Sequence, residues 1–174
     1  DAANNWTTVY ATHFLLEARN AGYAVPEGTL KPALSALAEI ARGKKTEIYH
    51  YWTENRVVAR TIADKSCVYA LYVLALAGSP EKGVMNFYRN EKGLLSSDTR
   101  TLLAGAFALS GDRSTFRELL PAQFITEEAQ RTTGGCFDSP IRANALILNI
   151  LLETDLNNPN IPRYEEYLSK IYRT

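Results

Sequence analysis

Histidine and cysteine are nearly absent from this chain, with two of each among 174 residues. His13 and His50 are too few and too far apart for a His-Glu-x-x-His metal helix. Cys67 sits inside an apolar run and Cys136 follows Gly134 and Gly135, so the pair makes neither a disulfide framework nor a zinc pattern. Both are read as free thiols, the redox compartment is left open, and no metal or other cofactor is expected. An excess of one charge is also missing: 19 basic residues face 19 acidic ones. The basic residues are scattered, which excludes the clustered electrostatic footprint of a nucleic-acid partner. The longest apolar runs hold about a dozen residues, short of the roughly 20 that cross a bilayer, so no membrane insertion by this chain is expected. A Gly-Lys phosphate loop and a Gly-x-Ser-x-Gly elbow are absent. The chain opens at Asp1 without Met or a leader and runs straight into a helix. It reads as a piece of a longer protein, so the missing leader is silent on location.

What the chain has is helix. With 46% hydrophobic residues it can bury one sizeable core, and residues 1–174 are read as a single domain. Trp6 to Ala18, Cys67 to Ala77, Leu102 to Leu109 and Ile141 to Leu152 are apolar almost all round. Each is trailed by a helix with one apolar stripe: Leu30, Leu34, Leu37 and Ile40; Val84, Phe87 and Tyr88; Phe116, Leu119 and Leu120; Tyr164, Tyr167, Leu168 and Ile171. A helix apolar on every side must be surrounded by protein, and a one-striped helix faces water on the other side. The pattern predicts an all-α fold of about four consecutive helical hairpins in two layers, inner and outer. Gly22, Gly78 and Gly111 are expected to close helices in the left-handed conformation, with Ser79, Asp112 and Ser139 capping the next starts. Gly43 to Asn55 and Ala122 to Asp138 break the rhythm and are read as surface connections.

Few residues invite chemistry. His13 shares a stripe with Trp6, Val9, Tyr10 and Phe14 and is read as a hydrogen-bonded core residue. His50 lies among Tyr49, Tyr51 and Trp52, where it is either a proton-transfer group or an ordinary exposed histidine. Glu127 with Glu128 and Glu165 with Glu166 are adjacent pairs. Neighbours on a helix point about 100 degrees apart, so neither pair spans one scissile bond. Asp138 and Arg142, four apart across a helix start, suit a cap or local ion pair.

Four segments, in order, resemble one family. Trp6 to Pro26 (WTTVYATHFLLEARNAGYAVP) is similar to a Trp/Ala-Tyr-Ala-x-x-Phe-Leu helix leading into a Gly-Tyr-x-x-Pro turn in bacterial α2-macroglobulin-like proteins. Tyr69 to Ser79 (YALYVLALAGS), Leu102 to Asp112 (LLAGAFALSGD) and Phe137 to Leu148 (FDSPIRANALIL) resemble the segments that follow it there. The resemblance implies the later two-thirds of the thioester domain, an α/α toroid of six helical hairpins. Four hairpins would then be a partial toroid lacking the N-terminal portion of the domain.

The family resemblance further implies a non-catalytic part of a protease inhibitor, periplasmic or on the bacterial surface, that traps proteases in host defence or colonisation. Its partners would be neighbouring domains and, through the parent, target proteases. The bond-forming Cys-x-Glu-Gln is absent: Cys67 precedes Val68-Tyr69-Ala70, and Cys136 precedes Phe137-Asp138-Ser139. No thioester residue is therefore expected in this chain. In some relatives a loop histidine assists acyl transfer, and the resemblance places His50 in about that region. The alternatives are an α/α-toroid enzyme, such as a glycosidase or terpenoid cyclase, and a helical-repeat interaction module. The first needs carboxylates at the mouth of the inner layer, and no Asp-rich cyclase motif is present. Four hairpins of six would leave two inner-layer edges bare, so self-association of the chain is expected.

Overall fold

The computed structural model describes residues 4–53, 55–126 and 139–172. Among them are eight α-helices: α1 (Asn5–Asn20), α2 (Glu27–Arg42), α3 (Lys65–Leu76), α4 (Lys82–Asn90), α5 (Ser97–Leu109), α6 (Arg113–Leu119), α7 (Pro140–Thr154) and α8 (Ile161–Tyr172). The odd-numbered helices form the inner layer, α1 on α3, α3 on α5 and α5 on α7. The even-numbered helices cover them from outside, α2 against α1 and α3, α4 and α6 against α5, and α8 against α7. This is the two-layered arc that the burial pattern predicts, and it agrees with the partial α/α toroid that the resemblance implies.

Burial separates the two middle inner helices from the outer two. In α3 ten consecutive residues, Ser66 to Ala75, are buried, and in α5 every residue from Thr101 to Ala108 is. Each large apolar side chain so enclosed contributes roughly 1.5–3 kcal/mol, which explains why neither run tolerates a polar face. Only Val9, Thr12 and Leu16 of α1 are buried, while Tyr10 and Phe14 are 61% and 66% exposed. The predicted all-round burial of the first helix is therefore corrected to one flank. Helix α7 likewise leaves Ile141 and Leu152 exposed. A helix at the end of an arc has a neighbour on one side only.

The glycine punctuation holds. Gly22, Gly78 and Gly111 have φ of 89°, 75° and 88°. At each, two amides fold back onto the last turn, as where Gly111 N–H donates to Ala108 O at 3.0 Å and Asp112 N–H to Phe107 O at 2.9 Å. Asp112 then caps α6 through the Thr115 amide, and Ser139 caps α7 through the Arg142 amide. Ser79 does not cap α4. Its amide is spent on Leu74 O in the closing turn of α3, and α4 restarts only after Glu81, whose side chain makes no capping bond.

Two connections differ from the surface loops predicted. Residues 43–55 lead into a β-hairpin, β1 (Thr46–Thr53) paired antiparallel with β2 (Arg56–Ala63), in register Tyr49 to Arg60 and His50 to Ala59. The mostly helical class thus carries one two-stranded sheet. In the second connection, Ile125 is buried and clamped by Asn144 of α7. Its amide donates to Asn144 Oδ1 at 2.9 Å, and Asn144 Nδ2 donates back to Ile125 O at 2.8 Å. The side chain of Asn144 is wholly buried and bonded to backbone, which holds this segment to the core. Residues 127–138, with Glu127, Glu128, Cys136 and Asp138, lie outside the described part.

Candidate functional site

The inner helices run parallel, so their N-terminal ends gather on one face. Lys65 opens α3, Ser97 and Asp98 open α5, and Ser139 and Arg142 open α7; together with Tyr49 of β1 they line one small cleft. Lys65 Nζ stands 3.1 Å from Asp98 Oδ2, and both side chains are largely buried. The Asp98 carboxylate also accepts from the Ser96 hydroxyl and, at 3.0 Å, from the Thr99 amide. Burial pushes this carboxyl upward, but the Lys65 ammonium, the Ser96 hydroxyl and the Thr99 amide overcome it and hold it below the usual range. Tyr49 stacks on Tyr51 with centroids 5.6 Å apart, Arg60 lies over both rings, and the Lys65 ammonium sits 5.1 Å from the Tyr49 centroid. The hairpin is pinned to the helical layers by this aromatic and cationic stack.

The cleft holds about 30 Å³. That seats a water or a single functional group, whereas metabolite pockets run to roughly 300 Å³ and more. Within the cleft Lys65 and Asp98 compensate each other's charge.

A second polar cluster lies deeper along the same helices, where α1 meets α3 and α7. His13 Nδ1 is 2.7 Å from Tyr69 Oη, and its ring meets those of Tyr69 and Tyr72 edge-on at 5.6 and 5.8 Å. The Tyr72 hydroxyl donates to Glu153 of α7. Burial raises the Tyr69 phenol to about 12, and burial with the Glu153 bond raises Tyr72 further, so both remain neutral donors. Above this cluster Trp6 packs on Tyr69 at 5.2 Å, and the Arg142 guanidinium covers the Trp6 ring at the same distance. Arg142 thus engages an aromatic ring across the arc, while Asp138, with which a cap or local ion pair was expected, lies outside the described residues.

No protein-family profile matches the chain. The α2-macroglobulins of two strains of Xylella fastidiosa are each 30% identical to it over 155 residues, 87% of this chain and 9% of the relative. The crystal structure of Salmonella α2-macroglobulin reacted with methylamine superposes with a TM-score of 0.73 at 23% identity, covering 97% of this chain and 11% of that one. Native Escherichia coli α2-macroglobulin, from domain MG7 to the C-terminus, gives 0.70 at 22% identity, covering 95% of this chain and 26% of that one. The chain is bacterial α2-macroglobulin-like. It spans about a tenth of the length of the relatives it matches.

Within this α2-macroglobulin-like arc the sequence candidates are dispersed. His50 lies on β1 and is exposed; with a period of two it points away from Tyr49, so it does not line the cleft. Cys67 is buried in α3, its thiol donating to Ile40 O at 3.2 Å. Burial pushes that thiol up, away from the reactive thiolate. Glu165 and Glu166 are exposed on α8, where Glu166 pairs with Lys170 at 2.7 Å, and neither approaches the cleft. Among the described residues no three His, Cys, Asp or Glu side chains group as metal ligands, and no helix is long and apolar enough to cross a membrane. The sequence reading missed Lys65, Asp98 and Tyr72. Ser96-x-x-Thr99 at a helix start was a legible signal for Asp98, because it marks a capping box whose first turn favours an acid.

Proposed function

We propose that this chain is the later part of the thioester domain of a bacterial α2-macroglobulin-like protease trap, secreted or periplasmic, with no catalysis of its own. The observation that carries this reading is the relationship to the Xylella proteins, which runs along 87% of the chain yet occupies 9% of theirs. Such a piece contributes shape: a rigid inner layer, a polar face at its helix starts, and surfaces for neighbouring domains of the parent. The parent's glutamyl thioester would come from a Cys-x-Glu-Gln outside residues 1–174. There an amine of the attacking protease adds to the acyl carbon, an amide forms, and the cysteine leaves as a thiol. His50, exposed on the outward face of the hairpin, keeps the acyl-transfer role as a proposal, open to a group that the parent brings to it.

The Escherichia coli relative is described as trypsin activated and the Salmonella one as reacted with methylamine. The parent polypeptide is accordingly expected to retain trypsin and shield it from a protein substrate, while a small chromogenic substrate is still cleaved. Labelled methylamine should enter the parent at a glutamine outside this chain; retention without label would mean non-covalent trapping. Trypsin left fully active on a protein substrate would overturn the proposal.

The bare flanks have a consequence for the chain alone. Tyr10 and Phe14 on α1 and Ile141 and Leu152 on α7 present apolar surface at opposite ends of one layer. Association of such unlike ends is heterologous and grows with concentration. Sedimentation velocity over a wide concentration range should show a rising mean mass, and a strictly monomeric boundary throughout would contradict it.

A further inference from the structure

One imidazole stands in the contact between α1 and α3. His13 Nε2 is buried and makes no hydrogen bond. The Glu17 carboxylate stands 3.6 Å away, too long for a hydrogen bond but close enough for attraction. The neutral ring has two tautomers. With the proton on Nε2, Nδ1 accepts from the Tyr69 hydroxyl and Nε2–H faces Glu17; with the proton on Nδ1, a lone pair would face that carboxylate. The first is therefore favoured, and it requires Tyr69 to be the donor. We propose that His13 is a pH-sensitive latch: its neutral ring holds α1 against α3 and α7, and its protonation loosens α1 from the arc.

The charged and titratable groups around it come from three helices. On α1 itself Glu17 lies beside Nε2; on α3 Tyr69 and Tyr72 enclose the ring; on α7 Glu153 holds the Tyr72 hydroxyl and Arg142 covers Trp6. Helix α2 meets α1 at Arg19 and Glu27, 3.7 Å apart at the far end. A proton on Nδ1 turns that atom from acceptor to donor. The Tyr69 hydroxyl must then rotate to accept, and its own proton loses its acceptor in a buried place. Desolvation of the new cation opposes protonation too. Glu17 and Glu153 favour it, and burial outweighs them, so the ring titrates below its ordinary value. The sign follows. The stabilisation is complete above the unfolded value of about 6.5, is lost as pH falls through it toward the folded value, and changes no further below that.

The two tryptophans allow a direct reading. Trp6 packs on Tyr69 inside the contact, whereas Trp52 is half exposed on the outward face of the hairpin. In a Trp52→Phe chain, Trp6 is the remaining indole. Lowering the pH from about 7.5 to about 5 should shift its emission reversibly to the red and speed amide exchange in α1, with α5 unchanged. His13→Gln in the same background should abolish the pH-dependent shift, and His50→Gln should keep it. A shift of equal size in His13→Gln overturns the proposal. Where that variant folds poorly, proton resonances of the unsubstituted histidines decide: titration of His13 at or above the ordinary value overturns the latch, and titration below it, together with faster α1 exchange, supports it.

Discussion

Replacing Gly105 with valine is expected to lower the melting temperature of the chain by roughly 6–12 °C. Gly105 lies in the middle of α5, and a Cβ there would stand 2.9 Å from Tyr72 Cε2, 3.1 Å from Tyr72 Cδ2 and 3.1 Å from Ile150 Cδ1. The end of Ile150 can swing aside. The Tyr72 ring cannot, because it is 1% exposed and its hydroxyl is held by Glu153. Overpacking of this kind costs about 1–3 kcal/mol, and valine, with two further methyls, belongs at the top of that range. Removing a helical glycine returns less than about 1 kcal/mol, so the clash wins. Alanine at the same place should cost less, its smaller clash being partly offset by helix propensity. Gly83, in α4 with nothing within 4 Å of the added atom, is the control: alanine there should be neutral or stabilising. Thermal melts of the three variants check the argument, and a valine variant as stable as the original chain would refute it.

That contact was not visible in the sequence, although the helix carrying it was. Gly105 stands between Ala104 and Ala106 in the sequence, and Tyr72 and Ile150, on two other helices, decide why this position must be glycine. Local chemistry fared better. The positive φ at Gly22, Gly78 and Gly111 follows from sterics within a few residues, as do the caps at Asp112 and Ser139. The hairpin was missed for a physical reason. Alternation along Thr46 to Thr53 puts Glu47, Tyr49 and Tyr51 on one face and Ile48, His50 and Trp52 on the other, so neither face is plainly apolar. A usable signal remained: two eight-residue runs rich in β-branched and aromatic side chains, joined through Asn55, whose φ is 64°.

The candidate site was legible only in its absences. Two histidines and two cysteines could not assemble a metal or nucleophile centre, and among the described residues His13, His50 and Cys67 do not line the cleft. The cleft is instead made by residues at the starts of three inner helices, each unremarkable alone. Parallel inner helices bring Lys65, Asp98 and Arg142 together, and parallelism is a property of the hairpin order that no single segment displays.

Truncating Asp98 to alanine should destabilise the chain by about 1.5–3 kcal/mol, because it breaks the charge-assisted contact that the largely buried Lys65 ammonium makes 3.1 Å away. For a chain of this size that is a fall of roughly 3–12 °C in melting temperature. Part of the loss is local, since the same carboxylate accepts from the Ser96 hydroxyl and the Thr99 amide at the start of α5. A first-turn acid contributes only about 0.3–1 kcal/mol, so most of the loss is expected from the broken Lys65–Asp98 ion pair. The double replacement Lys65→Met with Asp98→Leu separates the two causes. It removes both charges and restores apolar packing, so it should recover most of the stability that Asp98→Ala loses. Acid supplies an independent check. The folded carboxyl lies below its ordinary value, so its stabilisation is complete above the unfolded value of about 3.9 and is lost as pH falls toward the folded one. The original chain should therefore lose its advantage over Asp98→Ala below about pH 4, and urea midpoints measured at neutral pH and near pH 3 would show the gap narrowing. An unchanged gap at the lower pH would mean that Asp98 acts through the shape of the α5 start and not through its charge.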